Sequence, residues 1–369
     1  DMKKKNLCKT LLKTMCIVLG ILILALLAYI VYLYASYYRI EDNQELVVEA
    51  PVDDTTTGAA AVLATDTEYS AVTYNIGFGA YLPDYSFFMD GGTSSWAESP
   101  ETVQYAINGA GELVKSLDPD FALIQEIDLD ATRSYHTDEY ERLRNLLPEY
   151  TTVFAQNYDS AFLFYPFTQP HGSSRAGLGL FSKYPVSSAL RRSFPISTSF
   201  SKFFDLDRCY SVSRIPVDNG KELVIFNLHM SAYGNSDEIR KGQIEMLCND
   251  MAKEYEAGNY VLCGGDFNHD LKASEEDTES CESWAFPFPR TELPEHFAFC
   301  LDLLSSEEQA ALWNSARNAD MEYVPGVTYT VTLDGFIISD NIECLSYENV
   351  NTGYSYSDHD PVKMEFVLK

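Results

Sequence analysis

The sequence predicts an α/β fold built on mixed sheets, and three features carry that prediction. Ser99-Pro100-Glu101 opens a helix between two apolar strands, one ending at Asn75 and the next at Glu126. A second helix, opened by Ser236-Asp237-Glu238, leads into a strand ending at Asp266. Between these units, residues 208–217 and 221–230 form a hairpin pattern through Asp218-Asn219-Gly220. Strand–helix–strand units favour parallel pairing and hairpins antiparallel pairing, so a chain with both implies mixed sheets.

The elements follow in order. Residues 14–38 carry no charged side chain and include the run Ile17-Val18-Leu19-Gly20-Ile21-Leu22-Ile23-Leu24. That length exceeds the roughly 20 apolar residues needed to cross a bilayer. Tyr29, Tyr32, Tyr34, Tyr37 and Tyr38 crowd its far end as an interfacial belt would. Lys3, Lys4, Lys5, Lys9 and Lys13 precede it, so residues 1–13 read as cytoplasmic and 14–38 as a signal anchor. A cleaved signal peptide is the competing reading. The apolar core is long for one, and no clear small-x-small cleavage site follows. The expected location is therefore the cell membrane, single-pass, with the C-terminal domain outside. Residues 39–68 are polar, acidic and rich in Thr and Ala, the composition of a flexible tether.

The helix starting at Ser99 has Ser as N-cap, Pro first and an acid in its first turn, and Asp118-Pro119-Asp120 stops it. In the helix after Ser236, Ile239, Ile244, Leu247, Met251 and Tyr255 recur at helical spacing before Gly258. Two stretches lack periodicity. Residues 77–96 are aromatic-rich and include Asp90-Gly91-Gly92, and residues 270–326 form a long insertion with Trp284, Phe286 and Phe288. Loops of that length tend to bind or cover a site.

Net charge narrows the function classes. The chain has a formal charge of −29, with 26 Lys+Arg and 55 Asp+Glu. Residues 1–39 hold six of the basic residues and one acid, which leaves 20 basic and 54 acidic residues, a net of −34, beyond them. Non-specific duplex binding runs on Lys/Arg–phosphate contacts, in which this part of the chain is poor. Of the eight cysteines, Cys263 reads as a small core residue. Cys281 and Cys300 flank the insertion at a spacing open to a disulfide, and no CxxC pair suggests zinc.

Polar groups stand at the ends of several apolar strands. Thr73-Tyr74-Asn75-Ile76-Gly77, Phe121-Ala122-Leu123-Ile124-Gln125-Glu126 and Phe226-Asn227-Leu228-His229 each end on one. Val261-Leu262-Cys263-Gly264-Gly265-Asp266-Phe267-Asn268 breaks at two glycines and presents an acid and an amide. Asp334 begins the run Gly335-Phe336-Ile337-Ile338, and Ser357-Asp358-His359-Asp360-Pro361 precedes a terminal alternating strand. Strand mouths that converge on one rim are where layered α/β folds build sites. Carboxylates crowded around imidazoles suit metal binding, proton transfer, or both.

This ordered set resembles the endonuclease/exonuclease/phosphatase superfamily, the deoxyribonuclease-I-like fold, over residues 69–369. The resemblance implies a catalytic domain with two packed mixed β-sheets flanked by helices in a four-layered sandwich. It also implies a metal-dependent phosphoric ester hydrolase. Gly77 departs from members that carry an acid two residues after the motif asparagine, so only Asn75 from this segment would reach a metal. Glu126 is expected as the main Mg²⁺ ligand, with Asn75 and Asp358 beside it; hard oxygen ligands suit Mg²⁺, or alternatively Mn²⁺, better than zinc. Asp266 would act on the attacking water and Asn268 would bind a phosphate oxygen. An Asp334–His359 pair is the rival base, and His229 would contact phosphate or protonate the leaving group. Arg208 matches the family's arginine before the His strand. Arg175 is a second candidate for binding substrate, as is Asn75, and His171 and Tyr158 are candidates for lining the pocket. The leading reading is a membrane-anchored phosphodiesterase acting on a lipid head group or small phosphate ester. An extracellular nuclease and a catalytically silent binding module are the alternatives, and no protein partner is expected.

Overall fold

The computed structural model describes residues 2–53, 62–203, 205–232, 237–274 and 285–369. The chain divides into two units, Asp1–Arg39 and Ile40–Lys369. The first is helix α1, Met2–Ser36. Its segment Asn6–Ser36 reaches a mean hydropathy of 2.9, and Leu11, Ile21, Leu24 and Val31 are exposed. At 1.5 Å per residue that segment spans roughly 45 Å, more than the ~30 Å hydrocarbon core of a bilayer. It has the length and composition of a membrane anchor or a signal sequence.

The second unit runs β1 (Gln44–Glu45), β2 (Val48–Glu49), β3 (Glu68–Asn75), α2 (Pro100–Leu117), β4 (Phe121–Ala131), α3 (Glu139–Leu146), β5 (Thr151–Asp159) and β6 (Ser174–Ser182). It continues with β7 (Ser188–Ser193), β8 (Cys209–Pro216), β9 (Glu222–His229), α4 (Asp237–Glu256), β10 (Tyr260–Asp266), β11 (Phe297–Phe299) and α5 (Ser306–Ala311). The last elements are β12 (Ala316–Arg317), β13 (Thr330–Val331), β14 (Asp334–Ser339), β15 (Ile342–Asn349) and β16 (Val362–Leu368). One seven-stranded sheet has the order β1-β7-β8-β9-β10-β14-β11, and the other β15-β16-β3-β4-β6-β5-β2. Both are mixed: β3 pairs parallel to β4 and β9 parallel to β10, while most other pairs are antiparallel.

The sheets pack face to face. Leu123, Val153 and Leu180 from one meet Phe226, Leu262 and Phe336 from the other in a single buried cluster. Val103, Ile107 and Val114 of α2 and Leu143 of α3 cover the outer face of the first sheet, against Ala122, Ile124 and Phe181. Ile244, Leu247 and Met251 of α4 join the core from the other sheet's side, on the face the spacing predicts. Four layers result, as expected.

Local chemistry fixes the elements that carry the site. Ser99 caps α2 by accepting the Thr102 N–H at 3.1 Å, Pro100 fills the first turn, and Asp118 closes the helix in a left-handed conformation. Position 109 of α2 must be Gly, because a Cβ there would lie 2.2 Å from the ring of Tyr356. That close approach seats the loop leading into Ser357-Asp358-His359. The predicted hairpin is present, β8 pairing with β9 through a turn with Gly220 at φ +81°.

Two sequence readings need correction. Residues 39–68 were expected as a flexible tether, yet β1 pairs with β7 and β2 with β5, so residues 44–49 border both sheets. Asp207 accepts the Ile40 N–H at 2.6 Å, Leu63 is fully buried, and the Asp66 N–H bonds Leu368 O. Strands of two residues are too short to leave a periodic signature, and the acidic composition masked the apolar contacts of Leu46 and Val48. Second, the insertion 270–326 has structure of its own. β11 extends the sheet beside β14, Ser305 and Glu308 form a capping box on α5, and Phe288 and Phe299 are core residues. The Cys300 Sγ packs 3.0 Å from Met364 Sδ; Cys281, its suggested partner, lies outside the described residues, as do Ser236 and Trp284.

Gly265 is the tightest point of the site scaffold. Its φ is +148°, and a Cβ would stand 2.0 Å from the Leu228 carbonyl oxygen. Gly265→Ala should therefore cost about 2–4 kcal/mol through strain and backbone displacement, read as a lowered urea midpoint. An unchanged midpoint would show that β9 and β10 are not held at this spacing.

Candidate active site

The strand ends predicted to converge do so. β3 stops at Asn75, and β9 and β10 stop side by side, with His229 in register with Asp266. β14 starts where β10 ends, so Asp334 pairs across from Asp266. His359 and Asp358 precede β16, which lies beside β3. Glu126 reaches the same rim by a different route. The register between β4 and β6 shifts between Ile124 and Ile127, and Glu126 adopts φ +57° within that bulge. A non-glycine residue in this region costs on the order of 1–3 kcal/mol and clusters at functional sites. Asn268 is similar, at φ +50°.

A hydrogen-bond chain runs through the rim. Ser315 Oγ donates to Asp334 Oδ2 at 2.7 Å, and the same oxygen pairs with His359 Nδ1 at 2.7 Å. His359 Nε2 then faces Asp266 Oδ2 at 3.9 Å. The Asn268 N–H donates to Asp266 Oδ1 at 2.8 Å, and Asn75 Nδ2 donates to Asp266 Oδ2 and to Glu126 Oε1, both at 3.1 Å. His229 Nε2 stands 3.5 Å from Asp266 Oδ2 and 3.7 Å from Glu126 Oε1. Ser357 Oγ donates to Asn75 O and accepts the His359 N–H, which locks the motif loop onto β3.

These groups open into a cavity of about 610 Å³. Its lining includes Glu126, His229, Asp266, Asn268, Asp358 and His359, with Arg208 on another wall. Arg208 is buried, and its Nε and Nη1 have no hydrogen-bond partner among the described residues. A buried donor left unpaired costs about 1–3 kcal/mol, more when charged, so a guanidinium held this way suits an anionic ligand. Tyr158 and His171 also line the cavity.

Two expected roles shift on this geometry. Arg175 lies outside the cavity: it is exposed at the start of β6 and pairs with Asp130 at 3.1 Å, while its neighbour Ala176 faces in. Strand alternation sends the two residues to opposite sides. Asn75 does not line the cavity either. Its Oδ1 accepts the Gly77 N–H at 3.0 Å, and its Nδ2 bridges the Glu126 and Asp266 carboxylates.

The sequence reading missed several residues. Arg133 sits on the turn after β4, clamps Asp128 through both Nε and Nη2, and lies 3.6 Å over the Phe78 ring. Asp90 lines the cavity from the irregular 77–96 loop, whose Phe78, Tyr81 and Phe87 are anchored in the core. Asn157 and Arg317 line it too, and Ser315 supports Asp334 from behind. Only Asp90-Gly91-Gly92 left a trace in the sequence, as an acid beside a glycine turn.

Comparison with known proteins agrees with this geometry. Residues 72–303 match the model of the endonuclease/exonuclease/phosphatase family. The chain belongs to that family. No curated protein matches it in sequence. Among solved structures it is similar to an endonuclease/exonuclease/phosphatase from Beutenbergia cavernae, with 15% identity and a TM-score of 0.55 over 82% of this chain and 72% of that one. It is also similar to TDP2 from D. rerio in complex with a single-strand DNA product, at 13% identity and TM-score 0.54, covering 82% and 99%. A third is the human Nocturnin catalytic domain with bound sulfate, at 17% identity and TM-score 0.52, covering 82% and 95%. At these identities the likeness shows the shared fold.

Members of the endonuclease/exonuclease/phosphatase family hydrolyse phosphodiester bonds and generally depend on a divalent metal. The residues here fit such an ion. Ligand atoms of Asp266, Asp334 and His359 come within 4.8 Å of one another, close enough to share one. A second set is Glu126 and Asp358. Burial raises the pKa of both, and Asp358's charge raises Glu126 further. Burial, Asp358 and Glu126 together push Asp90 up to about 7. Mutual repulsion of this kind is relieved by a cation.

Protonation differs sharply around the rim. Burial, opposed in part by His359, pushes Asp266 up to about 7, with Asp334 and Glu126 adding to the rise. Burial works against a charged His359, but the Asp334 carboxylate outweighs it and holds the imidazole well above its ordinary value. His229 is driven well below it by burial and by the nearby Arg208.

These shifts set a stability trend. Folded Asp90 and Asp266 keep protons up to about pH 7 that the unfolded chain releases near about pH 4. Their contribution to stability is full below the unfolded value and is lost as pH rises through the folded one. Buried His171, His229 and His269, all with lowered pKa values, add stability as pH rises to the unfolded value of about 6.5. In EDTA, Tm should therefore fall between about pH 6.5 and about pH 8, and Mg²⁺ should recover most of the loss at the upper end. A metal-free Tm that climbs across this interval would contradict the crowding of acids.

Proposed function

We propose that the second unit is a Mg²⁺-dependent phosphodiesterase, its domain spanning residues 40–369. The observation that supports it most is one cavity with three parts: the Asp334–His359 pair beside Asp266, the crowded carboxylates Glu126 and Asp358, and an unpartnered Arg208. Glu126 and Asp358 are the better cation site. Asp334 Oδ2 already takes bonds from His359 and Ser315, and a protonated imidazole has no lone pair for a metal. When bound there, Mg²⁺ supplies Lewis-acid neutralisation of the phosphate charge.

The chain's own residues divide the remaining work. Arg208, which lines the cavity and keeps two N–H groups without a partner among the described residues, orients a phosphate. Asp266, fixed by the Asn268 N–H and by Asn75, accepts the proton of the attacking water; a pKa of about 7 suits that task at neutral pH. His359, kept cationic by Asp334, stabilises negative charge developing on phosphate oxygens. That assignment favours Asp266 over the Asp334–His359 pair as base. His229 is neutral, so it donates an Nε2–H hydrogen bond rather than a full proton to the leaving group. Asn268 Nδ2 donates to Met230 O at 2.9 Å and to Asp266 Oδ2 at 3.3 Å, and the longer of the two bonds is the one a phosphate oxygen would replace.

Substrate and place follow from charge and from α1. We read α1 as a signal anchor, because five lysines precede the apolar run, so the domain faces outward. Its net −34 disfavours long polyanions and favours a lipid head group or a small ester.

The test is a phosphoester panel with the full chain in detergent, since truncation before residue 66 would remove β1, β2 and Leu63 from the fold. Hydrolysis should need a divalent cation and stop in excess EDTA. Glu126→Gln should raise the Mg²⁺ concentration at half-maximal rate by about tenfold or more, as second-sphere and ligand losses do. His359→Ala should lower kcat by about 10²–10⁴ at saturating Mg²⁺. Undiminished turnover in EDTA, or wild-type rates in both variants, would sink the proposal. Efficient cleavage of plasmid DNA with none of head-group esters would make the enzyme a nuclease.

A further inference from the structure

One wall of the cavity holds polar atoms that the hydrolytic residues do not use. Asn157 stands on β5 where the pairing with β6 shifts between Gln156 and Tyr158, so Asn157 is the extra residue of a bulge. Bulges next to active sites re-aim a side chain that regular pleating would send elsewhere. Asn157 is 1% exposed and lines the cavity, and neither its Oδ1 nor its Nδ2 has a hydrogen-bond partner among the described residues. His171, 6% exposed, lines the same cavity, and its Nδ1 is likewise unpartnered. A buried amide without partners carries its full desolvation cost, which a leucine of similar volume would avoid. Its presence at a bulge facing the cavity is therefore explained by a ligand that bonds it.

The chemistry of the wall selects the ligand. Asn157 and His171 together offer donors and acceptors without net charge, because burial and the neighbouring Arg133 keep the imidazole neutral. An alkylammonium group finds no aromatic face here, since the Phe78 ring is covered by the Arg133 guanidinium at 3.6 Å, and the Glu126 and Asp358 carboxylates of the same cavity are assigned to the metal in the reading above. Hydroxyl groups both donate and accept, and match such a surface.

We propose that Asn157 and His171 form a hydroxyl-recognition subsite, selecting phosphate esters whose alcohol part is an uncharged polyol. The proposal rests on the phosphodiesterase reading and narrows its substrate class. The test compares sn-glycero-3-phosphoglycerol, sn-glycero-3-phosphocholine and bis(4-nitrophenyl) phosphate as substrates for the wild-type full chain and Asn157→Leu. Wild type should prefer the phosphoglycerol ester to the phosphocholine ester. In Asn157→Leu the ratio of kcat/KM for phosphoglycerol over bis(4-nitrophenyl) phosphate should fall about 10–100-fold, the loss expected when a site's hydrogen bonds to a substrate hydroxyl go. Tm should not fall, since the leucine removes unpaired polar atoms. An unchanged ratio, a wild-type preference for phosphocholine, or a Tm lowered by about 5 °C or more would overturn it, the last by showing a structural role. Thermal protection by sn-glycerol 3-phosphate gives a readout free of turnover. If no ester is hydrolysed the phosphodiesterase reading fails, and protection lost in Asn157→Leu still supports the subsite. Protection retained in that variant, or absent in the wild type, overturns it.

Discussion

The arrangement depends on negative charge buried where the two sheets' strands end. Glu126, Asp266, Asp334 and Asp358 crowd one rim, and Asp266 and Asp334 are almost wholly buried. Isolated carboxylates do not tolerate that environment, so each must be paired, protonated or neutralised. Asp334 is paired, with His359 and Ser315. Asp266 is partly protonated near neutrality and held by amides. Glu126 has a single amide bond from Asn75, and Asp358 shares a hydroxyl with its neighbour Ser357. The cation assignment follows from what remains unbalanced.

The backbone around the rim is bent to create that crowding. Glu126 and Asn157 stand at bulges on β4 and β5, the two strands that flank β6, and Asn268 takes a left-handed turn just past β10. Gly265 lets β10 close on β9, so His229 and Asp266 share a register. Each irregularity would weaken a sheet whose only task was to pack. Together they turn polar side chains into one cavity, while Leu123, Phe226 and Leu262 below keep the two sheets in register. The rigid core thus supports strain at its edge.

Much of this was legible in the sequence because apolar strands that end on polar residues leave a strong local pattern. Asn75, His229, Asp266 and Asp334 sit at strand ends as read, and helices α2 and α4 lie where capping and periodicity put them, whereas Glu126, read as a strand end, stands at a bulge within β4, which continues to Ala131. What escaped notice had no local signature. β1 and β2 are two residues each, and their apolar side chains matter only against a neighbouring sheet edge. Arg208 matched the family's arginine and Arg175 was a second candidate, but Arg175 sits on the outward side of a strand while Arg208 is buried before β8. Arg133 and Asn157 owe their roles to a turn and a bulge, and the sequence does not announce either. The acidic composition of residues 39–68 was real, yet it described the surface of edge strands as well as it would a tether.

The claim most open to a direct test is that Glu126 and Asp358, rather than the Asp266–Asp334–His359 group, bind the cation. Crystals of the protein grown with Mn²⁺ and measured at the manganese edge would locate the ion by anomalous scattering. The account predicts one strong peak in contact with carboxylate oxygens of Glu126 and Asp358. A peak ligated by Asp334 and His359, or none at millimolar Mn²⁺, would contradict it.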